Sequence, residues 1–353
     1  MNPWHHAPSL GARSGVADYA AALDKQLSGD YPPLYHVGNN GLHREIYATA
    51  LRQPGVVVLH DAVLHHFFLG TLTRDEYIRE FAFNYGEWRR DLAADLWTFR
   101  AASGTDPRYF EFPMLRRVVQ SAKAVIVHNQ GAERLAREHG AGTVHVIPHF
   151  HEPARAEAVD GVFFRQRLEI PPRHTLFGVF GYLRETKRIL PSIRAFARLH
   201  ALRPDTALLV AGEPVSDDLR RLIDTEADRP GIVRLGHLME SELGAAGAAI
   251  DCCINPRWPA AGETSGIAIR MMGLGKPVIL TESAETEDFP SGARLVIRHG
   301  AHEIDDLFSQ MALVTDFPAL AREIGTAARH HIQTQHQLAE VARRYREVLL
   351  SAV

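Results

Sequence analysis

The chain has 353 residues, of which 46% are hydrophobic and 23% charged, and its formal net charge is -3 at pH 7. This is the composition of a soluble globular protein, and the length exceeds the usual size of a single core, so two domains are expected. The slightly negative charge and the lack of a strongly basic run argue against a nucleic-acid partner.

The location of the protein is read from three further features of the sequence. Met1 to His6 lacks the charged-then-apolar pattern of a signal peptide, and no apolar run approaches the ~20 residues that span a bilayer. Cys252 and Cys253 are neighbours in an apolar strand, so they point to opposite faces and are expected to be buried thiols. We therefore predict a cytoplasmic protein, with peripheral contact at the inner membrane face as an option.

The first elements lead to a polar pair at the end of a buried strand. A glycine-bearing loop over 11–15 precedes a helix to about Leu27, and a strand at 35–37, a turn at 38–41 and a helix at 42–51 follow. Next comes a buried strand, 56–61, that ends in His60 and Asp61. In open α/β sheets the carboxyl ends of the strands face the ligand crevice, so this pair is a candidate for function.

The region from Arg74 to Arg100 differs in character, because aromatic side chains alternate there with arginines in a helical pattern. It fits an amphipathic lid, an acceptor-side helix pair or a surface that meets a membrane. Interspersed acidic residues weaken the membrane interpretation and favour core packing with a solvated charged face.

Apolar strands then alternate with helices up to about residue 150. A helix over 114–121 is followed by a strand at 124–129, a helix at 131–139 and a strand at 144–149. This alternation predicts a parallel, doubly wound sheet. The pattern loosens from Phe150 to Arg173, where we place the domain boundary.

The second α/β half begins with a strand at 175–181 and a basic turn. Arg184, Lys187 and Arg188 precede a helix that runs to about Leu202. Cations at a helix N-terminus oppose the helix dipole unless they share the site with an anionic ligand. The turn is therefore either a phosphate clamp or a solvated basic turn.

After strands at 208–212 and 232–236, residues 248–281 carry the strongest candidate site. The apolar run 248–254 predicts a buried strand, and the helix that follows is capped by Thr264 or Ser265 and ends at Gly275. Its free backbone N–H groups would hold a diphosphate, and Glu263 beside them would accept sugar hydroxyls. The alternative is an ordinary capped helix with a structural ion pair.

Arg270 is the one charged residue in that apolar helix. A buried guanidinium needs an anionic partner, which would be Glu263 or a bound phosphate. A strand at 294–298 and helices over 303–353 complete the chain. Neither a G-x-G-x-x-G nor a Walker A sequence occurs, which disfavours a dehydrogenase.

This order of elements, with the segment from Gly262 through Arg270 to Ile279, resembles the retaining glycosyltransferases of the GT-B fold, family 4 (glycosyl transferases group 1). The resemblance implies two doubly wound Rossmann-like domains that face a deep interdomain cleft. Residues 1–155 would be the acceptor-side domain, with a helical insertion at about 70–112. Residues 156–335 would bind the donor, and 336–353 would be a helix that crosses back to the first domain.

The resemblance also implies roles for individual residues. His60, Lys187 and Glu263 would be catalytic, with Lys187 neutralising the donor diphosphate and Glu263 contacting the transferred sugar. The expected donor-binding residues are Gly15, Arg184, Lys187, Glu263, Thr264, Ser265, Gly266 and Arg270. The acceptor-side candidates are Arg13, Ser14, Asn39 and Asp61.

Two positions depart from the family pattern. Tyr182 stands where an arginine commonly joins the lysine, so Arg184 or Arg13 would supply that charge. Arg270 stands near the second glutamate, which usually holds the nucleotide ribose, and a guanidinium cannot accept hydroxyl protons as a carboxylate does.

The implied activity is transfer of a sugar from a nucleotide-diphosphate sugar to an acceptor hydroxyl, with retention and with neither a metal nor another cofactor. The acceptor would be a glycan, a lipid-linked sugar or a small molecule. The alternatives are a GT-B-like nucleotide-sugar epimerase, a phosphorylase, and a non-catalytic subunit that binds sugar nucleotides.

Overall fold

The computed structural model describes residues 2–12, 14–153 and 158–352, and these form two compact units. Unit 1 comprises Met1–Phe150, Pro259–Thr264 and Leu338–Val353, and unit 2 comprises His151–Trp258 and Ser265–Gln337. A short loop in the middle of the second half of the chain, residues 259–264, therefore belongs to unit 1.

The helices and strands of unit 1 are, in chain order, β1 (His5–His6), α1 (Gly15–Asp24), β2 (Leu34–Val37), α2 (Arg44–Arg52), β3 (Val56–Leu59), α3 (His65–Thr71), α4 (Arg74–Tyr85), α5 (Arg90–Thr98), α6 (Arg116–Ser121), β4 (Ala124–Val127), α7 (Gln130–Glu138), β5 (Val144–Val146) and, at the other end of the chain, α15 (Leu338–Ser351). Its five strands form one parallel sheet in the order β1-β2-β3-β4-β5.

Both faces of this sheet are covered, as continuous apolar strands require. Val57 and Leu59 pack into a core with α2 and α4 to α7, whereas Val56 and Val58 pack into a second core with α1 and α15. On that second face the hydroxyls of Tyr19 and Tyr345 lie 3.0 Å apart.

The elements of unit 2 are α8 (Ala158–Arg167), β6 (Thr175–Phe180), α9 (Ile189–Leu202), β7 (Thr206–Ala211), α10 (Asp217–Ala227), β8 (Ile232–Leu235), α11 (Glu240–Ala249), β9 (Cys252–Ile254), α12 (Gly266–Gly273), β10 (Val278–Thr281), β11 (Leu295–Ile297), α13 (Glu303–Asp316) and α14 (Pro318–Gln335). The six strands are parallel in the order β11-β10-β9-β6-β7-β8.

The predicted α/β class with two parallel sheets is confirmed, and so are the buried thiols. Cys252 packs into the core on one face of the unit 2 sheet and Cys253 into the core on the other, and both are unexposed. The strand predicted from Ala248 is wrong at its start. Ala248 and Ala249 end α11, because the small side chains of 245–249 suit a packed helix as well as a strand.

Two elements of unit 1 were not predicted. Strand β1 has only two residues, and α3 begins directly after the buried segment 62–64. Both are too short for a periodic pattern to identify them.

The helical region of unit 1 combines a core face with an exposed one. Tyr77 and Phe81 are fully buried, whereas the Trp88 side chain is 77% exposed and the Arg89 guanidinium lies 4.5 Å from its ring centroid. No helix in the described part of the chain is long and apolar enough to cross a membrane.

Candidate functional site

The strand order of unit 2 places the two loops that carry the candidate donor-binding residues at neighbouring strand ends. Its first strand, β6, lies in the middle of the sheet beside β9, with Phe177 in register with Cys252. The chain leaves these two strands in opposite directions across the sheet, and ligands of open α/β sheets bind at such a switch point. The basic turn 184–188 follows β6, and the segment from Asn255 follows β9. Trp258 N–H donates to the Thr186 carbonyl at 2.8 Å and so joins the two loops.

The N-terminus of α12 is built around one hydroxyl at this switch point. Ser265 is the N-cap and accepts from Ala268 N–H at 3.2 Å, as predicted. Its Oγ also accepts hydrogen bonds from Asn255 Nδ2 at 2.8 Å and from Arg257 Nη2 at 3.1 Å. Gly266 is the first helical residue, so the positive end of the helix dipole and the Arg257 guanidinium both lie at Ser265. No pattern in the sequence singles out Arg257.

The three cations of the basic turn have separate environments. Lys187 folds back over Gly181, and its Nζ donates to the Phe180 carbonyl at 3.0 Å. Arg184 is exposed. Arg188 is the N-cap of α9 and binds Glu303, with Nε 2.8 Å from Oε1, so its charge is balanced within the protein. The clamp predicted from three cations therefore rests on Arg184 and Lys187.

Arg270 differs from its sequence-based prediction. Its side chain is 37% exposed, and its Nη1 lies 2.6 and 2.5 Å from the two carboxylate oxygens of Glu240 on α11. The partner is thus Glu240 where the sequence suggested Glu263 or a phosphate. The reason is tertiary, since α11 and α12 are neighbours in unit 2 and the outer side of α12 carries Arg270.

In unit 1, the loop 259–264 is held by the ends of two strands. Val63 N–H donates to the Ala261 carbonyl at 3.0 Å. Asn129, directly after β4, donates from Nδ2 to the Gly262 carbonyl and to Thr264 Oγ1, both at 3.0 Å. Glu263 accepts from Ala261 N–H at 2.7 Å, so its carboxylate closes its own loop.

The glycine-bearing loop near the start of unit 1 caps α1. Ser14 is the N-cap and accepts from Val16 N–H at 3.3 Å, and Gly15 is the first helical residue. A Cβ at Gly15 would meet no atom within 4 Å, so the backbone there is open to approach. The candidate Arg13 lies outside the described residues.

Asn39 and Asp61 come together at the carboxyl ends of β2 and β3. Asn39 N–H donates to Asp61 Oδ2 at 2.7 Å, and Asn39 Oδ1 accepts from Phe67 N–H at 2.8 Å. Asn39 Nδ2 lies 3.3 Å from His66 Nδ1. These two of the four acceptor-side candidates therefore have structural partners in unit 1.

His60 lies in the middle of a chain of buried imidazoles. Its Nε2 is 2.8 Å from His36 Nδ1, and its Nδ1 is 3.3 Å from His128 Nε2. Burial lowers the pKa of His60 well below its usual value, and neighbouring imidazoles add to the effect. A sugar could hydrogen-bond to a ring nitrogen of His60 only by displacing one of these partners.

Sequence reasoning missed His128 and Asn129, although the signal for them was present. They form a polar pair at the carboxyl end of β4, as His60 and Asp61 do at the end of β3. The argument that singled out His60 and Asp61 applies equally to them.

The sequence model of the family described as Glycosyl transferases group 1 matches residues 174–329, which lie in the second half of the chain. Residues 174–329 therefore carry a glycosyl transferases group 1 domain, and the chain has the GT-B fold. No curated protein matches this sequence.

Solved structures of similar fold include a complex of Anabaena HepE with UDP and glucose, which is 13% identical, with a TM-score of 0.67 and 98% of each chain covered. The glycosyltransferase WaaG, involved in lipopolysaccharide biosynthesis, is 17% identical, with a TM-score of 0.65 and 98% of each chain covered. Sucrose-phosphate synthase from Thermosynechococcus elongatus is 16% identical, with a TM-score of 0.65, 91% of this chain covered and 74% of the other. At these identities the likeness shows two Rossmann-like domains and no more.

Among the described residues, no group of three or more His, Cys, Asp or Glu side chains has the arrangement of a metal site.

Proposed function

We propose that this protein is a glycosyltransferase that moves a sugar from a nucleotide-diphosphate sugar to an acceptor hydroxyl, with retention at the anomeric carbon and without a metal ion. The observation that carries the proposal is the switch point of unit 2, where Lys187 and the N-terminus of α12 follow the adjacent strands β6 and β9. Helix N-termini and lysines are standard binding groups for phosphate.

The reaction requires positive charge near the leaving group. The bond between the anomeric carbon and the phosphate oxygen breaks, and negative charge grows on the departing nucleoside diphosphate. A bond from the acceptor oxygen to that carbon forms, and the acceptor proton passes to an oxygen of the departing diphosphate. Lys187, Arg184 and the first N–H groups of α12 would stabilise this charge, and such preorganised electrostatic stabilisation is usually the largest single contribution to catalysis.

Glu263 is the group we assign to the transferred sugar, through hydrogen bonds from sugar hydroxyls. Its neighbours Thr264, Ser265 and Gly266 would face the sugar or the diphosphate. A peripheral contact of the exposed aromatic and arginine side chains of the α4–α5 region with a membrane remains part of the proposal, and a lipid-linked acceptor would fit it.

UDP-glucose is the first donor to test, since structures of HepE are complexes with UDP-glucose and with UDP and glucose. The experiment combines a thermal-shift panel of nucleoside diphosphates and their sugars with product analysis in the presence and absence of acceptors. We expect one donor to raise the melting temperature by mass action and to release its nucleoside diphosphate. If no nucleotide sugar binds, the proposal fails.

The same assay separates the alternatives. An altered sugar nucleotide formed without acceptor would identify an epimerase. Binding without release or transfer would identify a non-catalytic subunit.

A further inference from the structure

The side chain of Asn129 joins a helix cap to the loop that carries Glu263. Its Oδ1 accepts from Ala132 N–H at 2.8 Å and so caps α7, and the residue is only 1% exposed. Because the oxygen faces that N–H, the amide NH2 must face the other way. There it donates to the Gly262 carbonyl and to Thr264 Oγ1, both at 3.0 Å.

These two bonds hold the residues immediately before and after Glu263 in the chain. Gly262 and Thr264 are its direct neighbours, and the Glu263 carboxylate is itself bonded to Ala261 N–H. Gly262 has a φ of +76°, and a Cβ there would lie 2.6 Å from the Ala62 Cβ, so the loop backbone packs closely on unit 1. The loop backbone cannot shift without breaking the Asn129 bonds.

We propose that Asn129 is a positioning residue for Glu263, an inference that rests on the proposed function of Glu263 in binding the transferred sugar. Asn129 touches no reacting atom. It fixes the loop 262–264 relative to β4 and α7, and through the loop it fixes the backbone from which the Glu263 carboxylate projects.

Two substitutions separate the cap of α7 from the hydrogen bonds that hold the loop 262–264. Asn129→Asp and Asn129→Ser keep an oxygen for Ala132 N–H, since both residues are good N-caps, but neither has the two N–H donors that hold the loop. We expect both variants to fold, with a melting temperature lowered more in Asn129→Asp than in Asn129→Ser, because the new carboxylate would face the Gly262 carbonyl. Hydrogen exchange of the Ala261 and Val63 amides should become about ten-fold faster or more, because the loop opens locally.

Asn40→Asp is the matched control. Asn40 also caps a turn, accepting from Leu42 N–H at 3.0 Å, and it is exposed. The Asn40→Asp variant should leave amide hydrogen exchange in the loop 259–264 unchanged. When the assay uses a donor that the unchanged protein turns over, kcat of the two Asn129 variants should be about ten-fold lower or more. The KM for the donor should change less, since a displaced Glu263 loses contacts to the transition state.

The outcomes are distinguishable from those that test the proposed function. If the unchanged chain turns over no donor, the proposed function fails while hydrogen exchange still decides whether Asn129 holds the loop. Unchanged exchange in both Asn129 variants overturns the inference. Faster exchange with unchanged kcat in an active enzyme also overturns it, because the loop would then be held without consequence for the reaction.

A second inference comes from the imidazole chain alone. His5 Nε2 lies 2.7 Å from His36 Nε2, and the chain continues through His60 to His128. At one end His128 Nδ1 donates to the Ile147 carbonyl at 2.9 Å, and at the other His5 Nδ1 faces Asp24 Oδ1 at 2.8 Å.

The Ile147 carbonyl can only accept, so it would fix every tautomer along a chain of neutral rings. His128 must carry its proton on Nδ1, which leaves Nε2 to accept from His60 Nδ1, and the same step repeats through His36 to His5 Nε2. His5 Nδ1 then meets a carboxylate, which is also an acceptor. Five hydrogen bonds need five protons, and four neutral imidazoles supply four.

We infer that Asp24 and the four imidazoles together hold one proton more than four neutral histidines supply, and that it resides between His5 and Asp24. Burial lowers the pKa of His5, and the bond to Asp24 opposes this effect. The hydrogen-bond count requires the fifth proton, and the Asp24 carboxylate, which His5 contacts directly, places the positive charge on that ring. Among the residues that the structure describes, the other titratable groups that face the chain are Tyr19, Tyr345, His6, His43 and His149.

Nitrogen NMR of the histidine-labelled full chain tests this inference. Single His→Asn variants at 5, 36, 60 and 128 assign the signals. At pH 7 we expect one imidazolium, at His5, and three neutral rings. Asp24→Asn should abolish the imidazolium, because the amide can itself donate to His5 Nδ1. Four neutral rings in the unchanged chain overturn the inference, and so does an imidazolium that persists in Asp24→Asn.

Discussion

Arg188 and Glu303 form an ion pair whose carboxylate is almost removed from water. The Glu303 side chain is 3% exposed and the Arg188 side chain 27%, with Nε to Oε1 at 2.8 Å and Nη2 to Oε2 at 2.5 Å. The pair links the N-terminus of α9 to that of α13, and it explains how an arginine is tolerated at the positive end of a helix.

We predict that Glu303→Ala lowers the free energy of unfolding by about 2–4 kcal/mol, because it leaves a partly buried guanidinium without its partner. The measurement is urea unfolding. The double variant Arg188→Ala with Glu303→Ala should recover part of the loss, since it removes both charges. Additive losses from the two single changes would show that the pair is not coupled.

Lys187→Ala is predicted to lower turnover of the active donor by about 100-fold or more, as expected when one preorganised charge at the leaving group is removed. Its melting temperature should change little, because Lys187 is only half-buried and its hydrogen bond to the Phe180 carbonyl contributes about 1 kcal/mol. Lys123→Ala, at an exposed position, is the matched control and should keep full activity. Full activity in Lys187→Ala would remove the clamp from the proposal.

Arg270→Ala is predicted to change the free energy of unfolding by no more than about 1 kcal/mol, because its pair with Glu240 is solvated on both sides. If Arg270 also binds the donor, Arg270→Ala weakens donor binding whereas Glu240→Ala, which frees the guanidinium, does not. Equal donor affinity in both variants and the unchanged chain would withdraw Arg270 from the donor site. Calorimetry with the active donor gives these affinities.

Gly262→Ala is predicted to lower the free energy of unfolding by about 1–3 kcal/mol. The φ of +76° disfavours any Cβ, and this Cβ would lie 2.6 Å from that of Ala62. Gly292→Ala is the control, since a Cβ there would meet no atom within 4 Å and its φ is not positive. Equal stability of the two variants would contradict the close packing of this loop.

The stability of the protein should fall on acidification below about pH 6.5. Burial lowers the pKa of His128 to about 4 and that of His65 to about 3, and it lowers the pKa of His36 and His60 well below the usual value. These rings are neutral when folded and become protonated when unfolded, so the unfolded state binds more protons as the pH falls.

Each such histidine contributes a slope of about 1.4 kcal/mol per pH unit between the unfolded and folded pKa values. Urea unfolding at pH 7.5, 6 and 5 measures the slope, and His128→Asn should reduce it by one histidine's share. A free energy of unfolding that stays constant over this range would mean that the histidines are accessible to protons in the folded protein.

The sequence by itself determined most of the architecture. Continuous apolar runs such as 56–59 and 175–180 and the helices between them specify parallel strands, because burial on both faces of a sheet leaves no polar alternation. The caps of α12 also follow from local chemistry, since Ser265 and Gly275 act within a few residues of their own positions.

Only the tertiary structure decided which charges are already neutralised and which loops belong together. Arg188 with Glu303, Arg270 with Glu240 and Asn129 with the loop 262–264 join residues far apart in sequence. Hydrogen bonds and ion pairs act over about 3 Å, and no periodic pattern encodes which distant side chain lies within that range. The sequence thus singled out Lys187, Glu263 and the N-terminus of α12 as the proposed binding groups, whereas packing determined what holds them in place.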